Sequence, residues 1–240
     1  AAMTGSLSSE AVPLANPVST QSSPITIPKA PVVQSRIVDK DLTFPTAHGK
    51  RTYSLSQILT RLRRNDEELL TVMRDGIARL ANNPERERAI IADLTKAGVP
   101  AALLTGPLHP AVIDGSNVAN IDASQRRARY AYLRQIRRAA WREGYFPVII
   151  VVDASLRHQI DRADILMERV DTGDIVMAPA GSSADQLLID EAKRLHAVLI
   201  TNDRMNDWPA AKNLEKRHVE LIGGTVCIGS FHRANPAWFH

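Results

Sequence analysis

Apolar and polar positions divide the chain into three stretches with different patterns. Residues 1–50 are rich in Pro and Ser and show neither a helical nor a two-residue apolar period, which predicts a disordered leader. Residues 51–104 repeat apolar positions at helical spacing and predict a small helical module. Residues 107–240 alternate short apolar runs with helical stretches, which predicts an α/β domain whose central, mostly parallel sheet is covered on both faces.

The helical module has clear helix ends. Ser54 and Gln57 have the spacing of a capping box. Pro84 suits the first turn of a later helix, which Gly98 and Pro100 end. No candidate chemistry falls in this module. We therefore expect either a structural appendage or a surface through which the chain forms a homo-oligomer or binds a protein partner.

The third stretch predicts strands and helices in alternation. Five apolar runs are predicted as short buried strands: Ala111–Ile113, Val148–Val152, Ile175–Met177, Val198–Ile200 and Val219–Ile222. The helices are predicted between them, over Ser124–Glu143, Ser155–Val170, Ser183–His196 and Ala210–Arg217. The Gly223-Gly224 pair between Val219–Ile222 and Thr225–Ile228 predicts a hairpin.

Aspartates stand where the predicted strands end. Asp114 and Asp153 follow two of the strands directly, and Asp203 follows a third after Thr201 and Asn202. Asp185 lies in the first turn of a predicted helix, and Asp207 lies four residues beyond Asp203, on the same face if a helical turn forms there. Ligands of open α/β sheets bind at the carboxyl ends of the strands. We therefore expect these carboxylates to gather at one edge of the sheet.

Two interpretations of these aspartates remain open. Any one of them could simply cap a helix, which is a common role of Asp. Five on one edge favour a site, because clustered carboxylates repel one another and raise each other's pKa unless a cation neutralises them. Oxygen ligands without His or Cys suit Mg²⁺ or Mn²⁺. An acidic metal cluster of this kind hydrolyses phosphodiesters.

Polar residues beside the aspartates extend the candidate site. Asn117 is spaced to point back at the first strand, where it could hold a metal-bound water or orient Asp114; alternatively it is a cap or turn residue. Ser183 and Gln186 have capping-box spacing. Asp190 lies on the far side of the helix from Asp185 and is expected to be solvated surface. Further candidate site residues are Asp153, Ser183 and Asn202.

One predicted helix is strongly basic. Ser124–Glu143 carries seven arginines and a single acid, Glu143. Such a face is often only solvated surface, but Arg suits phosphate, so RNA-backbone contacts are the second interpretation. Part of this set forms an i, i+4 ladder opposite a buried side of Leu133, Ile136 and Ala140. The residues assigned to the RNA backbone are Arg127, Arg134, Arg138 and Arg142.

Composition narrows the class of protein. The net charge of +4 permits a nucleic-acid partner without requiring one, and 5% aromatic residues argue against an aromatic stacking platform. The single Cys227 excludes an internal disulfide and a cysteine-based zinc or iron–sulfur site, and it favours the reducing cytoplasm. The longest apolar run is too short to span a bilayer, so no membrane partner is expected.

Three motifs resemble a known nuclease family. The segment Val112-Ile113-Asp114-Gly115-Ser116-Asn117-Val118-Ala119 resembles the opening motif of NYN domains of the PIN-like nuclease superfamily, closest to the Regnase-type branch. Ser183-Ala184-Asp185 and Thr201-Asn202-Asp203-Arg204 with Asp207 resemble its second and third acidic motifs. The likeness covers about residues 107–231. It departs at Gln186, where the family often has a second acid, and the zinc finger of the animal members is absent.

The resemblance implies a three-layer α/β/α domain in which the first and fourth strands lie side by side. It also implies an Mg²⁺- or Mn²⁺-dependent endoribonuclease acting on single-stranded RNA. Carried over by motif, the catalytic residues are Asp114, Asn117, Asp185, Asp203 and Asp207, and the four aspartates are the metal ligands. The alternative is an RNA-binding or scaffold protein on the same fold that cleaves weakly or not at all. A phosphatase with an aspartyl nucleophile would need an acid at Ser116.

Overall fold

A computed structural model of the chain describes residues 39–229, and these begin with a β-hairpin. Strands β1 (Asp41–Thr46) and β2 (Gly49–Ser54) pair antiparallel. Leu42 and Phe44 of β1 are buried. The prediction of disorder up to residue 50 is therefore wrong for its last ten residues, and the rest of that prediction, up to residue 38, lies outside the described residues.

The hairpin is held by the helix packed against it rather than by its own sequence pattern. In β1 the alternating apolar positions are only Leu42 and Phe44, which are too few to predict a strand from the sequence. A Cβ on Gly76 would lie 2.7 Å from the Cβ of Phe44, so the glycine lets the strand approach the helix closely. The close packing of Phe44 therefore depends on Gly76, which lies 32 positions later in the chain.

Four helices follow the hairpin: the three that the helical spacing predicts and a short fourth one, beginning at Ala101, that it does not predict. Ser54 and Gln57 form the predicted capping box. Asp66 and Asn83 cap the next two helices, and Gly98, at φ 101°, ends the third. The helices are α1 (Leu55–Arg63), α2 (Glu67–Ala78), α3 (Pro84–Ala97) and α4 (Ala101–Thr105).

One asparagine of the helical module forms hydrogen bonds with the backbone of the central sheet. Asn65, at φ 57°, lies between α1 and α2. Its side-chain amide donates to the carbonyl of Val148 at 3.0 Å, and its side-chain oxygen accepts from the amide of Val148 at 2.8 Å. The side chain thus satisfies the amide and the carbonyl of Val148 on the side of its strand where the next strand pairs only with Val151 and Val152.

The central sheet has five parallel strands in the order β5-β4-β3-β6-β7. This order places the first and fourth strands of the domain side by side, as the resemblance implies. The fifth strand departs from prediction, because it lies inside the predicted helix Ala210–Arg217 while Val219–Ile222 lies outside the sheet. The strands are β3 (His109–Asp114), β4 (Tyr145–Val152), β5 (Val176–Met177), β6 (Val198–Ile200) and β7 (Lys216–Arg217).

Helices cover both faces of the sheet and complete a three-layer α/β/α fold. Ala111 and Ile113 point into one core, whereas Val112 between them points into the other. The first core contains α6, and the second contains α9. The helices are α5 (Gly115–Ala119), α6 (Tyr130–Arg142), α7 (Leu156–Gln159), α8 (Ala163–Asp171) and α9 (Ala184–Leu195).

The last described elements form the predicted hairpin. Strands β8 (Val219–Ile222) and β9 (Thr225–Ile228) pair antiparallel across Gly223 and Gly224, both of which have positive φ. A short 3₁₀ helix spans Pro209–Ala211. Within residues 39–229 no helix is both long and apolar enough to cross a membrane.

The loop before α6 is longer than the sequence pattern predicts. The helix begins at Tyr130 rather than at Ser124. Ser124 is instead held in a turn by Asp122, whose carboxylate accepts from both the amide and the hydroxyl of Ser124. Further along, Ala128 forms a parallel bridge with Ile160, so the loop after β3 lies beside the loop after β4.

Candidate active site

The candidate site begins where β3 passes into α5. Asp114 is the last residue of the strand and the N-cap of the helix, since its Oδ1 accepts from the amide of Asn117 at 2.9 Å. A Cβ on Gly115 would lie 2.7 Å from both Ile150 and Val152 of the neighbouring strand. The glycine therefore lets α5 start against the sheet and fixes the direction of Asp114.

Asp114 is the most buried carboxylate of the site, with 8% of its surface exposed. Its Oδ2 accepts from the hydroxyl of Thr201 at 3.0 Å. Burial raises the pKa of the Asp114 carboxyl to about 6, against the hydrogen bonds from Asn117 and Thr201, and the negative charges of Asp185 and Asp153 add to the rise. A carboxylate in this environment is stabilised by any cation that reaches it.

Thr201 connects two strand ends. It directly follows β6, and its Oγ1 accepts from the amide of Asp203 at 3.0 Å while its hydroxyl donates to Asp114. Asp203 in turn accepts from the amide of Met205 at 2.8 Å through Oδ1. The adjacent positions of β3 and β6 in the sheet thus become a hydrogen-bonded link between two of the predicted site residues.

Asp185 comes from α9, the helix on the face of the sheet opposite to α6. It stands in the first turn of α9, whose N-cap is Ser183. The indole Nε1 of Trp208 donates to its Oδ2 at 3.3 Å. Burial raises the pKa of the Asp185 carboxyl, against the bond from Trp208, and the charges of Asp203 and Asp153 raise it further. Asp185 therefore senses two of the other carboxylates.

Asp153, a further candidate from the sequence, belongs to the same group. Its backbone amide donates to the hydroxyl of Ser116 at 2.8 Å, which ties the end of β4 to α5. Its charge acts on both Asp114 and Asp185. The structure therefore brings together four carboxylates at the carboxyl edge of the sheet: Asp114, Asp153, Asp185 and Asp203.

Asp207 is placed differently from its prediction. No helical turn forms between Asp203 and Asp207, because Met205 adopts φ 52° and the chain turns there instead. Asp207 is exposed in the following turn. The spacing argument that put both aspartates on one helix face is therefore wrong, and a role for Asp207 rests on the motif alone.

Two polar candidates, Asn202 and Ser183, turn out to form hydrogen bonds with backbone groups. The side chain of Asn202 donates to the carbonyl of Val219 at 2.9 Å and accepts from its amide at 2.6 Å, so it fastens β8. Ser183 accepts from the amide of Asp185 at 3.2 Å, but the predicted capping box with Gln186 does not form, because Gln186 donates to Asp190 at 2.7 Å. These contacts are structural.

Other predicted residues keep their expected positions. Asn117 lies in α5 beside Asp114, partly buried, and its backbone amide supplies the cap bond. Asp190 is exposed, as predicted. The sequence analysis missed Thr201, Ser116 and Trp208 as supporting groups, although Thr201 and Ser116 stand inside the quoted motifs and their hydroxyls were the available signal.

The carboxylates fit a divalent cation by donor chemistry but not as a ready-made cage. Among residues 39–229, no three His, Cys, Asp or Glu side chains are grouped so that they could hold a metal ion. Ligation by Asp114, Asp185, Asp203 and Asp207 together stays a prediction. Mg²⁺ usually keeps several waters and binds through one or two carboxylates. An oxygen-only edge whose members repel one another suits an ion held in that way.

The arginines of the predicted basic helix separate into distinct places. Arg127 is exposed in the loop before α6, at the carboxyl edge of the sheet. Arg134, Arg138 and Arg142 are exposed along α6, which runs back toward the start of β4. With a rise of about 1.5 Å per residue, Arg142 lies roughly 18 Å along the helix from Tyr130, at the end of the sheet opposite the aspartates.

Arg137 is not part of any exposed face. It is buried on the same side as Leu133, Ile136 and Ala140. Its guanidinium donates to the carbonyl of Arg63 at 2.7 Å and to the carbonyl of Asp174. Burial lowers the pKa of this guanidinium to about 10. Arg137 therefore ties α1 and the segment before β5 to α6.

The segment that holds this arrangement matches a family model. Residues 107–223 match the model of the Zc3h12a-like ribonuclease NYN domain. Two solved structures of nuclear protein-only RNase P 2 of Arabidopsis thaliana are similar to this chain, each with a TM-score of 0.42 and 16% identity. These likenesses cover 69% and 68% of this chain and 37% of each of those chains, so this chain spans well under half their length. No curated protein matches the sequence.

Proposed function

Because residues 107–223 match the model of the Zc3h12a-like ribonuclease NYN domain, we propose that this chain is a metal-dependent endoribonuclease that hydrolyses single-stranded RNA. The observation that carries the proposal is the convergence of Asp114, Asp153, Asp185 and Asp203 on one edge of the sheet. The pKa values of Asp114 and Asp185 are raised there, in part by the neighbouring carboxylates. A protein that only binds RNA has no need of such repulsion.

The proposed metal-binding residues are Asp114, Asp185 and Asp203, with Asp207 added by its motif. Mg²⁺ or Mn²⁺ bound at this edge would lower the pKa of a water molecule and stabilise the charge that develops on the phosphodiester. Thr201 and Asn117 hold Asp114 in one orientation through its two oxygens. Trp208 restricts Asp185 through a hydrogen bond to one of its oxygens. This support fixes the carboxylates before the substrate arrives, which lowers the cost of reorganisation during the reaction.

RNA contacts are proposed where the loops after β3 and β4 lie side by side. Arg127 and Arg157 are exposed there and form no ion pair with a carboxylate within residues 39–229. By contrast, Arg129 is paired with Asp161 at 3.3 Å. These two guanidinium groups lie next to the acidic edge of the sheet and have no carboxylate partner there. They can therefore bind RNA phosphates beside the aspartates rather than on top of them. Arg134 and Arg138 extend this path along α6, whereas Arg142, also predicted to contact RNA, lies at the far end of the helix and is left out of the proposed path.

The test is cleavage of end-labelled RNA by the full chain in Mn²⁺, Mg²⁺ or excess EDTA. We expect cuts within single-stranded RNA in either metal and none in EDTA. The same oligonucleotide as a duplex and as single-stranded DNA defines the substrate class. Cleavage that persists in EDTA would remove the metal from the mechanism.

The second candidate function, RNA binding without cleavage, is separated in the same experiment. It predicts that the RNA stays intact in both metals while a gel-shift assay still detects a complex. The melting temperature in EDTA and in Mn²⁺ gives an independent measure of metal binding, because an ion that binds only the folded state stabilises it. A rise in Mn²⁺ without cleavage would support a metal site in an inactive domain.

A further inference from the structure

A cavity beneath the arginine ladder lies apart from the acidic edge. It has a volume of about 230 Å³ and is bounded by α1, the end of α3, α6, β4 and the segment before β5. Its apolar lining includes Leu133, Trp141 and Ile150. Of the described residues, five arginines and a single carboxylate, Asp174, also line it: Arg63, Arg134, Arg137, Arg138 and Arg169.

The positive charge in this cavity is incompletely neutralised. Asp174 is almost fully buried and lies 3.7 Å from Arg63 and 3.2 Å from Arg169. Burial lowers the pKa of the Arg63 guanidinium despite the attraction of Asp174. Within residues 39–229, the hydrogen bonds of the Arg137 guanidinium go to two backbone carbonyls, those of Arg63 and Asp174. One carboxylate thus faces several guanidinium groups, which is an arrangement that an added anion would relieve.

Unused donors also line the cavity. Among residues 39–229, Arg63 Nε and Trp141 Nε1 are buried and find no hydrogen-bond partner, and the same is true of Oδ1 of Asp174. Trp141 is 3% exposed, so water at the surface does not satisfy its indole group. A buried donor left without an acceptor costs about 1–3 kcal/mol in general. Arg63 Nε still lies 3.7 Å from Oδ2 of Asp174, so Trp141 Nε1 is the donor that points to an acceptor bound in the cavity.

We propose that this cavity is a binding site for a small phosphate monoester, with the phosphate on Arg63, Arg134 and Arg138 and an apolar or aromatic body against Trp141. Guanidinium groups match the geometry of phosphate oxygens with paired hydrogen bonds. The volume exceeds that of a bare phosphate and admits one ring system besides. Since the cavity wall is shared between the helical module and the nuclease domain, the ligand would bind both at once.

The probe for this site is adenosine 5′-monophosphate, tested on the full chain by thermal unfolding in EDTA. EDTA keeps the acidic edge free of metal, so the outcome is independent of the proposed nuclease activity. We expect a rise in melting temperature of roughly 5–10 °C when the nucleotide is at roughly a hundred times its dissociation constant. Inorganic phosphate should give a smaller rise, and adenosine none.

Three variants make the test specific to the cavity. Arg63→Gln and Arg138→Gln each remove one charge from the wall or rim, and both should abolish most of the nucleotide-induced shift. Arg142→Gln is the matched control, because Arg142 is exposed on the same helix but does not line the cavity. It should keep the full shift. Each shift is measured against the same variant without nucleotide, so a change in baseline stability does not disturb the comparison.

Two sources of the phosphate are then separated. A short RNA carrying a 5′-phosphate is compared with the same RNA carrying a 5′-hydroxyl. Given a shift with the mononucleotide, a larger shift with the phosphorylated RNA than with the 5′-hydroxyl RNA assigns the site to an RNA end, whereas equal shifts with the two RNAs assign it to a free nucleotide; both support the site. No shift with the mononucleotide at millimolar concentration would overturn the proposal. An equal shift with adenosine, or a full shift in both Arg63→Gln and Arg138→Gln, would overturn it as well.

Discussion

The hydroxyl of Thr201 donates to Oδ2 of Asp114 across the gap between β6 and β3, at 3.0 Å. The hydroxyl oxygen of Thr201 also accepts a hydrogen bond from the amide of Asp203. One side chain thus sets the orientation of a carboxylate on the neighbouring strand and the backbone of a second carboxylate on its own. Thr201 is therefore a positioning residue of the proposed site rather than a ligand.

Replacing Thr201 by Val keeps the shape of the side chain and removes this hydroxyl. Hydrogen bonds to charged groups are worth about 1.5–3 kcal/mol, so we expect cleavage to fall by roughly 10- to 100-fold. The lower limb of the pH–rate profile should also move to higher pH, because Asp114 loses a hydrogen bond that lowers its pKa. Thr201→Ser should restore both rate and profile. A rate loss without a shift of the profile would mean that Thr201 acts only through packing.

The acidic cluster is tested by Asp203→Asn, with Asp190→Asn as its matched control. The change at Asp203 keeps size and the acceptor for the Met205 amide but removes the charge, so turnover in Mn²⁺ should fall by orders of magnitude. The metal-free melting temperature should hold or rise, since one of several repelling charges is gone. Asp190 is exposed, and its change should leave turnover within about threefold.

A purely structural role for Asp203, in which its carboxylate only accepts from the Met205 amide, makes a different forecast for Asp203→Asn. It expects unchanged cleavage and stability, because the Asn side chain keeps an acceptor oxygen and binds backbone amides about as well as Asp does. Melting temperature in EDTA and cleavage rate in Mn²⁺ are therefore measured together on both variants. If the two variants cleave alike, the site has been assigned to the wrong residues.

The sequence located the strands that carry the site because their apolar runs are long or uninterrupted. The runs over β3, β4 and β6 could be identified as buried strands, and Asp114, Asp153 and Asp203 follow from their ends. By contrast, β7 consists of Lys216 and Arg217, which show no apolar pattern. This strand exists because the amide of Thr201 donates to the carbonyl of Arg217, a contact that only the folded sheet creates.

Arg137 shows a different limit of sequence analysis. The helical period places it on the side of Leu133 and Ala140, yet an arginine is rarely buried unless its charge is compensated. The compensation comes from the carbonyls of Arg63 and Asp174, which are 74 and 37 residues away. Periodicity predicts the face of a helix, but it cannot predict distant acceptors.

The N-terminal hairpin gives a direct test of the corrected boundary. Phe44 is fully buried, so Phe44→Ala should lower the free energy of unfolding by roughly 3–5 kcal/mol. Lys50 in the neighbouring strand is exposed, and Lys50→Ala should change it by no more than about 0.5 kcal/mol. Urea unfolding of both variants measures the difference. Equal stabilities would show that the hairpin does not contribute to the fold.

The burial of Asp114 predicts a pH dependence of stability in the absence of metal. Its pKa is raised from 3.8 to about 6 in the folded protein, so the folded state binds a proton more tightly than the unfolded state. This contribution is fully present below about pH 4 and is lost as the pH rises through 6. The loss amounts to at most about 3 kcal/mol.

Comparison with Asp114→Asn isolates this effect from the other carboxylates, several of which have lowered pKa values and act in the opposite direction. The variant cannot lose a proton at this position. Its stability relative to the unchanged protein should therefore increase between about pH 4 and pH 6 and stay constant above. Urea unfolding in EDTA at several pH values gives both curves. Parallel curves would mean that the Asp114 carboxyl titrates normally.

The placement of the arginines predicts which of them contact RNA at the cleavage site. Arg127 lies at the carboxyl edge with the aspartates, whereas Arg142 lies at the far end of α6. Binding of single-stranded RNA is measured in EDTA over a range of salt concentrations, which prevents cleavage. Each lost phosphate contact reduces the slope of log affinity against log salt by about 0.7.

Arg127→Gln should lower that slope by about one contact, and Arg142→Gln should leave it unchanged. Both residues are exposed and both substitutions remove one positive charge, so a general effect of net charge would alter the two slopes equally. An equal loss in both variants would therefore show either such a general effect or a strand that follows the whole length of α6. Adding Arg134→Gln decides between these two: a further loss of about 0.7 with each additional arginine, but not with an exposed lysine such as Lys50, would restore the full ladder as the RNA path.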